Sequence, residues 1–173
     1  GEGLLASRMG HDTRKEPSLL MTEYTIRDAT QEDVLDTVLA VKQFCKEIPH
    51  PAWTKFNSNK VNNLVSQLVE SENGFVKIVE NEGEIVGALI AVVSELPIND
   101  LWFSQELMFW IDPEHRKGRT AIKLIDDYVK WSESRGCSFT RLSELDSILA
   151  KKAGTLFKRK GFKPVETAYI KEI

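Results

Sequence analysis

The chain has 173 residues, 42% hydrophobic and 28% charged, which is long and apolar enough for one sizeable core. Its 26 acidic and 23 basic side chains leave a formal charge of -3, which argues against wholesale nucleic-acid binding while leaving room for a local basic patch. No apolar run approaches the ~20 residues that cross a bilayer, and the two cysteines (Cys45, Cys137) and three histidines (His11, His50, His115) match no metal spacing.

With no secretory segment, the cysteines are expected as free thiols in a reducing cytoplasm. The first 20 residues, GEGLLASRMGHDTRKEPSLL, have no periodic pattern and precede Met21. They read as an appended leader or tag, disordered and outside the fold, with 21–173 as a single domain. Glu23–Ala29 (EYTIRDA) alternates as a first strand. Thr30 is a candidate N-cap for the following helix, which has acids in its first turn and Val34, Val38, Val41 and Cys45 at helical spacing. Pro49–Trp53 ends it, and a second helix is expected over Ser58–Ser71, with Val61, Leu64, Val65 and Leu68 on one face.

GFVKIVENEGEIVGALIAVVS then places two apolar strands around a turn near Asn81–Glu84, a β-hairpin. FSQELMFWI is an aromatic-rich strand closed by Asp112 and Pro113. A helix follows from about Arg119 to Ser134, with Ala121, Leu124, Ile125, Tyr128 and Trp131 facing inward and Gly136 ending it. CSFTRLSEL reads as a short strand, DSILAKKAGTLFKRKG as a helix capped by Asp146 and stopped by Gly161, and FKPVETAYIKEI as closing strand material. Strands alternating with helices after residue 104 imply an α/β sheet with crossover connections.

The strand–turn–helix unit from Leu107 to Trp131 carries the chemistry. A helix N-terminus offers unpaired N–H groups and about half a positive charge. Arg116, Lys117 and Arg119 add cations there, Thr120 adds a hydroxyl, and Gly118 lets the backbone turn freely. Together these can hold a pyrophosphate. The spacing fits neither a Walker loop nor a Rossmann fingerprint, so ATP and NAD are poor candidates. A solvated charge cluster is the plain alternative.

At this point the sequence resembles the GNAT (GCN5-related) N-acetyltransferases. Their cofactor motif is a strand ending near Val-x-Pro, then Arg or Gln, x, x, Gly, x, Gly or Ala, then a helix. WIDPEHRKGRTAIKLI supplies Ile111, Pro113, Arg116, Ala121 and Leu124. AGTLFKRKGF (Ala153–Phe162) is similar to the family's closing motif, TIRDATQEDV to its first strand and helix, and the order of elements matches from about Tyr24 to Ile173. Three positions depart from the pattern: Arg119 replaces the loop glycine, Phe157 the tyrosine that often serves as general acid, and Ala150 an asparagine that often contacts cofactor or water. The Arg-x-Gly-Arg variant and the ending ETAYIKEI look like those of phage-associated members, for which host cytoplasm would be the location.

The resemblance implies a mixed central sheet of about six to seven strands flanked by about four helices, with a splayed strand pair at the CoA site. It implies acetyl transfer from acetyl-CoA to a primary amine, whether a small amine, a protein amine or an aminoacyl group, by direct attack in a ternary complex. No membrane partner is expected for want of a long apolar run, the mild acidity argues against a nucleic-acid partner, and homodimerisation stays open. The Phe109, Trp110 and Ile111 backbone would line the cofactor, Arg116, Lys117, Gly118, Arg119, Thr120 and Ala121 its pyrophosphate, and Phe157 its wall.

A lysine-type amine, with a pKa of ~10.4, must lose a proton before attack, and a thiolate with a conjugate-acid pKa of ~8.5 can leave without an acid. Glu106 is the candidate base, expected to share a face with Met108 and Trp110; an edge glutamate in a salt bridge is the alternative. Trp53 and Phe56 either wall an acceptor site or tuck onto the core. His115 is expected on a loop surface, and Cys137 as a small buried hydrophobe. The basic run Lys151, Lys152, Lys158, Arg159, Lys160 and Lys163 is a solvated helix face, or an attractor for the CoA 3′-phosphate or, weakly, for a nucleic acid. A non-catalytic binding or virion-associated protein of the same fold is the rival reading.

Overall fold

A computed structural model describes residues 23–116, 118–145 and 151–173. Strand β1 (Tyr24–Asp28) leads through a 3-10 turn (Gln31–Asp33) into α1 (Val34–Glu47). Thr30 stands at the start of that turn as expected, its N–H donating to Asp33 Oδ2 at 2.7 Å. The Asp33 carboxylate also takes Arg27 Nη1 at 2.7 Å, and Arg27 Nη2 reaches Glu80 at 2.8 Å, so the strand–helix corner is tied to the next strand. Helix α2 (Ser58–Glu70) follows, N-capped by Asn57, whose side chain accepts from Lys60 N–H at 3.0 Å.

Strands β2 (Gly74–Asn81) and β3 (Glu84–Glu95) form the expected hairpin. Its two central residues, Glu82 (φ 51°) and Gly83 (φ 82°), are both left-handed, which suits the twist of a two-residue hairpin. After β4 (Trp102–Ile111) come α3 (Thr120–Ser134), β5 (Phe139–Arg141) and α4 (Lys151–Arg159). Asp146, the expected cap of α4, lies outside the described residues.

The sheet order is β1-β2-β3-β4-β5, antiparallel except for the parallel β4/β5 pair. One face packs on α1 and α2 through Val34, Val38, Val65, Leu68, Ile78, Ile90, Met108 and Trp110. The other packs on α3 through Phe75, Val79, Leu89, Ile111, Leu124 and Tyr128. Among the described residues this mixed α+β arrangement has the expected four helices and five strands, fewer than the six to seven anticipated. Residues 162–173, read as strand material, join no ladder, and Val165, Tyr169 and Ile170 stand exposed. Alternation there supplies a strand pattern, but a strand also needs a neighbouring edge to pair with. Leu64, expected on the buried face of α2, is 42% exposed. Cys137 is half-buried in the connection before β5.

Two details of the sheet position the site. Strand β4 pairs with β5 only through Phe103, Ser104 and Gln105, then runs on to Ile111 without that partner. Its backbone therefore opens onto a wedge between the strands. On its other side the register passes from Ile90↔Met108 to Ala91↔Glu106, leaving Leu107 as the extra residue of a β-bulge.

Candidate active site

The bulge at Leu107 corrects one expectation. Glu106 does not continue the alternation of Met108 and Trp110, which pack on the α1/α2 side. It registers instead with Ala91, a member of the α3-side core. One inserted residue reverses which way the chain before it faces. Glu106 thereby lies where β4 and β5 part, and its Oε2 accepts from Ser143 N–H at 3.2 Å. Burial pushes its carboxyl up to about 7, against the opposing pull of the Ser143 hydrogen bonds and the Arg141 charge. Among the described residues Glu106 makes no edge salt bridge, and the Arg141 guanidinium pairs with Glu166.

Below Glu106 sits a buried hydroxyl cluster. Ser104 Oγ lies 2.6 Å from Ser132 Oγ and 2.7 Å from Thr140 Oγ1, and Ser132 Oγ donates to the Tyr128 carbonyl at 2.8 Å. The Tyr128 hydroxyl donates to the Arg141 carbonyl at 3.0 Å, and burial raises its pKa to about 12. These bonds fix the short β4/β5 pairing and hence the point at which the strands diverge.

Glu106 opens into a cavity of about 260 Å³. Phe109, Trp110, Ile111, Arg116, Gly118, Ala121 and Phe157 line it, so eight of the eleven residues predicted for the site meet there once Glu106 is counted. Lys117 lies outside the described residues. Arg119 and Thr120 stand at the start of α3 without lining the cavity: Thr120 is buried, and Arg119 is exposed, with no ion pair or side-chain hydrogen bond among the described residues. Gly118 has φ +88°, and a Cβ there would meet open space, so glycine is required by the turn and not by crowding.

The first hydrogen bond of α3 runs from Lys123 N–H to the Arg119 carbonyl at 3.0 Å, which leaves the N–H groups of the first turn without helical partners. N–H groups without helical partners, a guanidinium unpaired among the described residues and a left-handed glycine, next to a largely apolar cavity, fit a pyrophosphate followed by an extended organic arm.

Phe157 is buried, with its ring 6.1 Å from both Phe109 and Phe162. It walls the cavity and has no proton to give. Ala150 lies outside the described residues. Lys152 of the basic run lines the cavity, while Lys160 is paired with Asp126. Trp53 is 48% exposed and Phe56 packs on the α1/α2 core; neither lines the cavity. His115 Nδ1 is hydrogen-bonded to the Tyr24 hydroxyl at 3.1 Å on the loop.

The sequence reading missed Glu47. This last residue of α1 lines the cavity and accepts from the Trp110 indole N–H at 2.8 Å and from Arg116 Nη2 at 2.7 Å. Arg116, expected at the pyrophosphate turn, is thus engaged elsewhere, and its Nε also donates to the Ile111 carbonyl at 2.6 Å. No sequence signal pairs residues so far apart; a terminal helix glutamate is ordinarily solvated. Among the described residues, no helix is long and apolar enough to cross a membrane.

Similar folds occur in several solved structures. A GCN5-related N-acetyltransferase from Ralstonia eutropha matches with a TM-score of 0.70 at 18% identity, over 87% of this chain and 99% of that one. A ribosomal-protein-alanine N-acetyltransferase from Brucella melitensis biovar Abortus matches with a TM-score of 0.63 at 15% identity, over 87% and 99%. The aminoglycoside N-acetyltransferase AAC(6')-Iy in complex with CoA matches with a TM-score of 0.66 at 15% identity, over 87% and 95%. At these identities the likeness is one of fold. No curated protein matches the sequence. The family model described as the acetyltransferase (GNAT) family matches residues 40–162, from within α1 through the diverging strands to the end of the closing motif, and the chain belongs to that family.

Proposed function

We propose that the chain is an N-acetyltransferase that takes acetyl from acetyl-CoA and passes it to a primary amine in a direct ternary complex, with Glu106 as base. The observation that carries this reading is Glu106 itself, a carboxyl with a pKa near 7 at the mouth of the strand divergence, in the same cavity as the turn before α3. A base poised there can take a proton near neutral pH and pass it on.

Acetyl-CoA would supply the activated thioester. The Arg116–Ala121 turn and the α3 N-terminus would hold its pyrophosphate, with Arg119 as a clamp from outside the turn, and the open edge of β4 from Phe109 to Ile111 would hold its arm. Glu106 takes one proton from the acceptor ammonium. The amine nitrogen then bonds to the acetyl carbon as the carbon–sulfur bond breaks, the electron pair leaves on sulfur, and the nitrogen sheds a second proton. One proton reprotonates the thiolate and one passes to solvent. Phe157 supplies none of these, and a thiolate can leave without an acid at a cost on the order of 10²–10⁴ in rate.

The AAC(6')-Iy and ribosomal-protein-alanine enzymes of similar fold are named for amine acceptors, which supports an amine here without choosing one. The absence of a hydroxyl at Phe157 also supports a second reading, a cofactor-binding protein with little turnover, including the virion-associated role that the phage-like sequence features suggest.

Titration with acetyl-CoA separates these. Both readings require a rise in melting temperature, because a ligand of the folded state alone must stabilise it; no rise at millimolar acetyl-CoA refutes both. Thiol release that depends on added amine and is lost in Arg116→Ala supports the enzyme. CoA binding with no release across a broad amine panel supports the second reading. Arg119→Gly is expected to weaken acetyl-CoA binding, and tighter binding would show that this side chain obstructs the turn.

A further inference from the structure

Glu47 has no part in the chemistry above, yet its carboxylate stands in the same cavity as Glu106. Three contacts hold it: the Trp110 indole N–H at 2.8 Å and two to Arg116 Nη2 at 2.8 and 2.7 Å. Arg116 therefore spans from the carbonyl of Ile111, at the end of β4, to the end of α1. Its side chain is committed to these two groups, in the same cavity as Gly118 and Ala121 of the turn whose charge it was expected to complete.

Pyrophosphate is a stronger partner for a guanidinium than one carboxylate. It carries more charge, presents oxygens in pairs that match the planar fork, and would sit against the positive end of α3. The Arg116–Glu47 pair is about one-third exposed on the arginine side and one-quarter on the glutamate side, so it is screened and costs little to open. Once Arg116 turns away, Glu47 keeps, among the described residues, the indole N–H of Trp110. That leaves a one-quarter-exposed carboxylate, in a cavity that Lys152 also lines, open to a new cation.

We infer that Glu47 is the recognition carboxylate for the acceptor: Arg116 occupies it in this structure, releases it on turning to the cofactor pyrophosphate, and leaves it to a second ammonium group of the acceptor. The inference rests on the acetyl-CoA reading above. The cavity then holds two carboxylates with separate tasks, Glu106 taking a proton from the reacting nitrogen and Glu47 binding a cation that does not react. The acceptor class is amines with at least two cationic centres, and the cofactor binds before the acceptor.

Calorimetry on the full chain tests this, with CoA as the non-reacting cofactor and 1,4-diaminobutane against 1-aminobutane as probes. Wild type saturated with CoA is expected to bind the diamine at least about tenfold tighter than the monoamine, and to show no such preference without CoA. Glu47→Gln is expected to abolish the preference and to bind CoA as tightly as wild type or several-fold more tightly, because no ion pair has to open. Weaker CoA binding by Glu47→Gln, or a preference that persists in it, overturns the inference and makes Glu47 a structural anchor for Trp110. If Glu47→Gln does not fold, Arg116→Gln reads the same exchange from the other side. Glu47 is then free at all times, and a diamine preference without CoA is expected; its absence overturns the inference. Failure of wild type to bind CoA at all overturns the acetyl-CoA reading and this inference with it. CoA binding without diamine preference overturns the inference alone.

Discussion

Glu106→Gln removes one ionisable group and keeps its shape and its ability to accept from Ser143 N–H. The side chain's pKa is about 7 in the folded protein against an ordinary 4.5, because burial disfavours the anion. At about 1.36 kcal/mol per pH unit, ionising it in the fold costs on the order of 3 kcal/mol. The sign follows from proton counting. Between pH 4.5 and 7 the folded protein holds this proton more than the unfolded chain does, so stability falls as pH rises. Below that window both states are protonated, and above it both are ionised and the full penalty applies. Urea unfolding of wild type and Glu106→Gln from pH 4 to pH 8.5 is the assay, since contributions of other groups cancel in the difference. The variant is expected to gain about 3 kcal/mol on wild type across the window. Under the proposed chemistry, wild-type kcat/KM with a saturating acetyl donor rises through pH 7, while the variant loses that limb and about 10²–10⁴ in rate. Parallel stability curves would refute the assigned burial. A variant with unaltered kcat/KM would refute the assigned role.

Gly87→Ala is expected to lose acetyl-CoA binding together with about 1–3 kcal/mol of stability. Its Cβ would lie 2.9 Å from the Trp110 carbonyl and 3.2 Å from Ile111 Cα, so β4 itself must move; unchanged melting and unchanged calorimetry would count against this packing. Leu124→Ala should cost about 2–5 kcal/mol in urea unfolding, because the side chain is fully buried between α3 and the sheet. Asp33→Asn probes the β1–α1 corner: the Arg27 guanidinium holds the Asp33 carboxyl well below the usual range, so its contribution is present above about pH 4 and is lost as pH falls. A wild-type advantage of about 1 kcal/mol at pH 7, given the part-exposed Arg27, should shrink progressively as pH falls below about 4.

Much of the fold could be read from local pattern. The turn at Glu82 and Gly83, the inward stripe of α3 and the start of the 3-10 turn at Thr30 each depend on residues a few positions apart, so spacing reveals them. The clustering of Ile111, Arg116, Ala121 and Phe157 was also legible, through two motifs set at a characteristic separation. Three features were not. The bulge at Leu107 depends on how β3 matches β4 across the hairpin, and strand composition alone does not show a skipped residue. The exposure of Leu64 depends on how far α2 is covered, which helical periodicity leaves open. The pairing of Glu47 with Arg116 joins the end of one helix to the turn before another.

The sequence by itself therefore determined the elements and their order as far as α4, though not the closing strand, because hydrophobic period, caps and glycines act over a few residues. Tertiary structure decided the direction in which Glu106 faces, the partner that holds Arg116, and the absence of a ladder for residues 162–173. Each of these depends on a second segment arriving from far along the chain, and the free energy of such a meeting is set by burial and charge at the contact, which no local pattern encodes.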